Sequence, residues 1–225
     1  MWAVLPIKDV MDAKQRLAAV LTPDERQHLF RTMAADVMRT LAHVRGLDGV
    51  MVVTRDPWAM ELAQELGARI HVEAVNAGHT AAVTAAATRP RDDGADGMLQ
   101  VPGDVPLINM EEIERVLAAH GAAPAMTIVP AHDARGSNCV ACSPPDAVPL
   151  RFGNDSFRPH LEVARGLGIE PVIIELPGLA LDIDTPDDLH ALLAQPGDTA
   201  THHYLRDSGI ATRLPKAAGL AAEAS

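Results

Sequence analysis

The chain has 225 residues, 48% of them hydrophobic and only 3% aromatic. That length suits a single α/β domain, and the apolar content excludes a disordered chain. A formal net charge of −11 excludes nucleic acid as the main partner, because a phosphate backbone calls for clustered Lys and Arg. It leaves nucleotides open, since one triphosphate needs only a few local cations and a metal.

The first six apolar positions, 2–7, read as a buried strand. They are too short for a membrane span, and no charged segment precedes a long apolar run, so neither a signal peptide nor a membrane partner is expected and the localisation reads as cytoplasmic. Thr22-Pro23-Asp24-Glu25 is a helix start, with Thr22 as cap, Pro23 at the first helical position and Glu25 closing a capping box. Leu29, Met33, Val37 and Leu41 then repeat at helical spacing, which carries the helix to about residue 44. A strand over 49–54, a helix over 58–66 ended by Gly67 and a short strand over 69–72 follow. An Ala-rich helix over 80–88 and a polar turn over 89–94 lead to a strand over 97–101. The remaining elements are a helix over 110–120, strands over 125–130 and 138–142 joined by the loop 132–137, a helix over 156–167 and a strand over 171–176. Thr185-Pro186-Asp187-Asp188 repeats the capping signal and opens a helix to about residue 194.

This alternation implies an α/β fold: a single doubly wound, mostly parallel mixed sheet over 1–195. Residues 196–225 lose the pattern and read as a C-terminal extension, mobile or contacting a partner. Cys139 and Cys142 have C-x-x-C spacing, but they lie in a strand-like run without a second pair, so a structural role is expected rather than zinc or redox chemistry.

Ligands in such sheets bind beyond the carboxyl ends of the strands. The loop after the first strand carries Lys8, Lys14 and Arg16, which together could offset the charge of a triphosphate and its leaving pyrophosphate. The same residues would also suit a solvated surface loop, and the glycines of a Walker loop are missing. Asp104 follows the strand ending at Val101, in the turn Pro102-Gly103-Asp104, where a metal and phosphates would lie. Asp182 and Asp184 alternate along an extended segment, so both point one way. Two carboxylates on one face call for a cation or a water to join them, unless one of them caps the helix at Thr185. With Asp104 they form a two-sided carboxylate clamp suited to metal-assisted phosphoryl transfer.

Taken together, the cationic loop, the P-G-D-V-P turn, F-G-N-D-S-F and L-D-I-D-T-P-D-D-L resemble the MobA-like nucleotidyltransferase superfamily, and within it the CofC/FbiD family, over residues 2–193. The resemblance implies a Rossmann-like nucleotidyltransferase fold. It implies an Mg²⁺-dependent guanylyltransferase that joins GMP from GTP to 2-phospho-L-lactate, phosphoenolpyruvate or 3-phospho-D-glycerate, with pyrophosphate release, in biosynthesis of coenzyme F-420. The implied partners are GTP and the phosphorylated acid, with room for a homodimer and a transient contact with the next enzyme of the pathway.

On that resemblance the catalytic residues are Lys8, Lys14 and Arg16, and the metal ligands Asp104, Asp182 and Asp184. The nucleotide site comprises Pro6, Lys8, Lys14, Glu73, Asn76, Gly78, Thr80, Pro102 and Asp104. The acceptor site comprises Arg135, Gly136, Ser137, Gly153 and Ser156, with the N-terminus of the helix opened by Ser156 as a further attraction for anions. His160 reads either as another donor or as a packed helix residue. Two segments depart from the family pattern: Arg135-Gly136-Ser137-Asn138 stands where G-G-T-N is usual, and residues 76–83 differ from the usual G-L-N-A-A-L. The alternatives are a nucleotidyltransferase with a pterin or sugar-phosphate acceptor, and a non-catalytic nucleotide-binding regulator.

Overall fold

The computed structural model describes residues 1–7, 14–72, 95–153 and 155–215. The expected helix over 80–88 and turn over 89–94 lie outside these residues, as do the nucleotide-site candidates Lys8, Glu73, Asn76, Gly78 and Thr80.

The strands are β1 (Trp2–Ile7), β2 (Gly49–Thr54), β3 (Arg69–His71), β4 (Met98–Gln100), β5 (Ala125–Pro130), β6 (Ser137–Ser143) and β7 (Val172–Ile173). Among the described residues they form one sheet in the order β3-β2-β1-β4-β6-β5-β7. All neighbours are parallel except β6, which runs antiparallel to β4 and β5. The reversal has a simple cause: the β5–β6 loop, 131–136, is far shorter than the dozen or so residues that a parallel crossover needs.

Period-two alternation divides the sheet's side chains between two cores. Ala3, Leu5, Ile7, Val50 and Val52 pack with Val37, Met38 and Leu41 of helix α1 (Pro23–His43), and with residues of α2 (Pro57–Glu65) and α3 (Met110–Ala119). Val4, Met51, Val53, Met126 and Ile128 pack on the other face against Leu161 and Ala164 of α4 (Phe157–Gly166). The doubly wound arrangement expected from the sequence is therefore present.

The same alternation decides the cysteine question. Cys139 and Cys142 are an odd number of residues apart on β6, so Cys139 enters the first core and Cys142 the second. Thiols on opposite faces of one sheet cannot share a metal. Both are fully buried, and burial pushes the Cys142 thiol up to about 12, so neither is a ready thiolate. Replacing both by Ser should leave the metal content of the purified protein unchanged. Stability should fall by about 2–4 kcal/mol in a urea melt, since each hydroxyl enters apolar surroundings. Equimolar zinc in the wild type that disappears in the double variant would overturn this.

The helix starts form as read. Thr22 and Glu25 make a reciprocal capping box, as do Thr185 and Asp188 at α6 (Pro186–Ala194). Two segments differ from the sequence reading. Only Val172–Ile173 of the expected strand over 171–176 pairs with β5, because Pro177 starts a short helix, α5 (Pro177–Ala180). Glu112 of α3 fixes that helix by accepting the Gly178 and Leu179 amides at 2.8 Å each. A Cβ at residue 178 would lie 2.4 Å from the Leu107 carbonyl oxygen, so only glycine fits there.

The second difference is in the extension. Instead of a mobile or partner-contacting arm throughout, residues 200–213 form helices α7 (Ala200–Asp207) and α8 (Ile210–Arg213) on the body of the domain. Asp36 of α1 accepts the Ala200 and Thr201 amides and the Thr201 hydroxyl. Leu205 and Ile210 complete a third apolar cluster with Leu29, Met33, Leu189 and Leu192. No described helix is long and apolar enough to cross a membrane.

Candidate active site

The loop at the carboxyl end of β4 meets the segment entering α6. Val101–Asp104 continues from β4, and the Ile183 amide donates to the Asp104 carbonyl at 3.0 Å, joining the two acidic segments. Lys14, beyond β1, reaches into this junction. Its Nζ lies 2.6 Å from Asp104 Oδ2 and 2.7 Å from Asp184 Oδ1, and its side chain is only 5% exposed. The Lys14 backbone is left-handed, with φ 57°, which costs about 1 kcal/mol for a residue with a Cβ. The two ion pairs and the Leu17 amide donating to its carbonyl hold it there. Arg16, mostly exposed, lies 3.6 Å from the other oxygen of Asp184.

The electrostatics follow from this packing. Burial opposes the charge of Lys14, but the carboxylates of Asp104 and Asp184 outweigh it and raise its pKa. Burial likewise opposes the charge of Asp184, yet Lys14 prevails and the pKa falls. Asp182 has no such cation. Burial, reinforced by the neighbouring Asp104, raises its pKa, although Asn138 donates to its Oδ1 at 3.0 Å. The pair Asp182 and Asp184 thus faces Asp104 as the alternation implied, and neither caps α6, a task that belongs to Thr185.

Oxygen donors of this kind suit a hard cation. Asp104 Oδ1 is buried without a hydrogen-bond partner among the described residues, and it is the atom best placed to take a ligand. As placed, the Lys14 ammonium supplies the positive charge between Asp104 and Asp184, and no three His, Cys, Asp or Glu side chains among the described residues are arranged to hold a metal ion by themselves. Pro102 is half-buried beside Asp104, whereas Pro6 is buried inside β1 opposite Val53.

The acceptor candidates gather at the start of β6 and of α4. Ser137 and Ser156 are both buried, with their hydroxyl oxygens 3.2 Å apart. Ser156 does not cap its own helix. The Ser156 and Phe157 amides both donate to the Arg135 carbonyl, so two of the donors at this helix N-terminus are already engaged. The Arg135 side chain is exposed. At Gly136 a Cβ would approach Ala131 Cβ to 3.2 Å, so the hairpin packs tightly, while a Cβ at Gly153 would meet nothing within 4 Å.

Consecutive residues of β6 thus serve both halves of the site. Ser137 joins the serine pair and Asn138 anchors Asp182 and the Ala180 carbonyl. Asn138 stands in the motif as quoted, but its partner lies 44 residues away, so its role was not legible there. His132, half-exposed, is also new to the site. Its Nδ1 is 3.9 Å from Asp182 and its Nε2 3.5 Å from Asp188.

Over residues 1–223 the sequence matches the family model described as guanylyl transferase CofC like. The chain belongs to this family. It is a nucleotidyltransferase. The CofC-like chain is 36% identical over 196 residues to the phosphoenolpyruvate guanylyltransferase of Rubrobacter xylanophilus, covering 87% of this chain and 95% of that one. It is 31% identical over 204 residues to the 2-phospho-L-lactate guanylyltransferase of Methanothermobacter thermautotrophicus, covering 91% and 89%. A solved nucleotidyl transferase from Methanothermobacter thermautotrophicus shares its fold, with a TM-score of 0.61 at 18% identity over 92% of this chain and 98% of that one.

Proposed function

We propose that this protein transfers GMP from GTP to a phosphorylated three-carbon carboxylic acid, releasing pyrophosphate, in the biosynthesis of coenzyme F-420. The observation that carries the reading is the Lys14–Asp104–Asp184 cluster on the same sheet end as the buried Ser137–Ser156 pair, in a chain whose relatives are guanylyltransferases acting on phospho-acids.

In this reading a phosphate oxygen of the acceptor forms a bond to the α-phosphorus of GTP, and the bond from that phosphorus to the bridging oxygen of pyrophosphate breaks. The chain's own part is positioning and charge neutralisation rather than covalent chemistry. Lys14 and Arg16, with Lys8 from the same loop, offset the triphosphate. Ser137 and Ser156 hold an anionic group of the acceptor, and the exposed Arg135 guanidinium offers a bidentate grip on a carboxylate or phosphate. Together with phosphate oxygens of the triphosphate, carboxylates of Asp104, Asp182 and Asp184 would hold Mg²⁺, which when bound withdraws charge from those oxygens.

Pyrophosphate release measured with each of four nucleoside triphosphates against a panel of phosphorylated acids, a sugar phosphate and a pterin tests the proposal. GTP with one three-carbon phospho-acid should give the highest kcat/KM. A better rate with CTP, or with the sugar phosphate or pterin, would replace the reading by a different nucleotidyl transfer. Within the same assay Arg135→Gly should raise the acceptor KM about tenfold while the KM for GTP stays within twofold, because the two substrates rest on different loops. Unchanged acceptor kinetics across the panel would return Arg135 to a purely solvent-facing role.

A further inference from the structure

His160 is almost fully buried, 1% exposed, one turn into α4, so that it lies on the same helix face as Ser156. Both of its ring nitrogens are engaged. Nε2 lies 2.8 Å from the Arg151 amide nitrogen, and Nδ1 lies 3.0 Å from Ser137 Oγ. A backbone amide can only donate, so Nε2 is the acceptor and the proton of the neutral ring sits on Nδ1. The Phe152 ring meets the imidazole edge-on, with centroids 5.2 Å apart, and burial pushes the imidazole down to about 4, so it stays neutral.

The tautomer has a consequence for the serines. Nδ1–H donates to Ser137 Oγ and cannot accept its hydrogen. Ser156 Oγ donates to Ser137 Oγ at 3.2 Å, so the Ser137 oxygen accepts twice and its own hydrogen must point elsewhere. If the serines exchange roles, the hydrogen of Ser156 is the one left over. In either case one hydroxyl hydrogen of the pair lacks an acceptor among the described residues. The opposite tautomer would consume both, because Ser137 would then donate to Nδ1.

We infer that His160 is a positioning residue, locked by the Arg151 amide as the Nδ1–H tautomer, which turns the Ser137–Ser156 hydroxyl pair into an obligatory hydrogen-bond donor to an oxygen anion of the acceptor substrate. The inference rests on the proposed acceptor site and adds to it the device that sets its polarity. An anion site needs donors and no competing acceptor, and the imidazole enforces that condition without touching the substrate.

Two measurements test it. In the intact protein labelled with ¹⁵N-histidine, with His160 assigned by its loss in His160→Asn, the ring should show a protonated Nδ1 and an unprotonated Nε2. A protonated Nε2 would overturn the inference. In steady-state kinetics with GTP and the fastest of phosphoenolpyruvate, 2-phospho-L-lactate and 3-phospho-D-glycerate, His160→Phe should raise the acceptor KM about tenfold or more, with the GTP KM within twofold. His160→Asn, whose amide can still donate from near the Nδ1 position, should recover most of that loss, as a merely structural role would not require. Ser137→Ala should match His160→Phe, and the double variant should be no worse than Ser137→Ala. An unaffected acceptor KM in Ser137→Ala defeats the acceptor-site reading itself. A raised KM in Ser137→Ala with none in His160→Phe, or equal losses in the Phe and Asn variants, defeats the role of His160 alone.

Discussion

Asp104→Ala should lower kcat/KM for GTP by roughly a hundredfold or more while the protein remains folded. Its two oxygens do different work. Oδ2 holds the Lys14 ammonium at 2.6 Å, and Oδ1 is buried with no partner among the described residues. A buried carboxylate oxygen left unsatisfied costs stability, so a ligand that fills it gains what the free protein forgoes. Removing the carboxylate removes a ligand-binding atom and relieves an unfavourable one, but it also takes the closest counter-charge from the buried Lys14 ammonium, which Asp184 still meets. The expected result is therefore lost turnover with a loss of stability smaller than that of removing the ammonium itself. A hundredfold loss corresponds to about 2.7 kcal/mol of transition-state stabilisation, well within what a charge-neutralising group supplies to phosphoryl transfer. Asp184→Ala should behave similarly in turnover. Steady-state pyrophosphate release, with a urea melt of the same sample, reads both quantities. Near-normal activity in the folded Asp104→Ala protein would remove this residue from the catalytic apparatus.

The sequence revealed what depends on near neighbours. Thr22 with Glu25 and Thr185 with Asp188 form their caps within three residues, and β1, β2 and β5 are contiguous apolar runs, so their ends could be read directly. Asp104, Asp182 and Asp184 were legible because strand ends and short motifs place them. The contacts that join distant segments were not. Lys14 pairs with carboxylates 90 and 170 residues away, and no local pattern distinguishes it from a surface lysine. Helix α7 has few apolar residues and depends on Asp36, 165 residues from Thr201, so its polar sequence read as an extension. The helix opens at Ser156 as read, but what its first amides bind was not legible, for a similar reason. The Arg135 carbonyl, brought there by the β5–β6 hairpin, takes the amides that the sequence alone assigned to an anion.

Lys14→Met is the variant that most directly links the site's charge balance to folding. Methionine preserves the apolar stem but leaves Asp104 and Asp184 without the ammonium between them, next to an Asp182 whose pKa burial and Asp104 already raise. Breaking a buried ion pair by removing one partner costs about 3–5 kcal/mol. Asp184 is 41% exposed and Arg16 stays 3.6 Å away, so solvent screening sets the expectation at the low end, about 3 kcal/mol at neutral pH. The pH dependence gives the sign. In the wild type the raised pKa of Lys14 provides stability that is complete below its ordinary value of 10.5 and disappears as pH rises through the folded value. The lowered pKa of Asp184 provides stability that is complete above its ordinary 3.8 and disappears as pH falls through the folded value. The pair therefore contributes fully from about pH 4 to pH 10. In the variant Asp184 loses its closest cation while its burial remains, so it joins Asp182 in gaining stability from protonation. The variant should recover more on acidification than the wild type, in which Asp182 gains from protonation but Asp184 does not, and the gap between them should be widest near pH 7.5 and clearly smaller at pH 4.5. Urea melts at the two pH values measure it directly. Turnover should fall by roughly a hundredfold as well, since the same ammonium is the described cation best placed to meet the triphosphate. A destabilisation of equal size at both pH values would show that Lys14 acts through packing, and would take the electrostatic account of this junction with it.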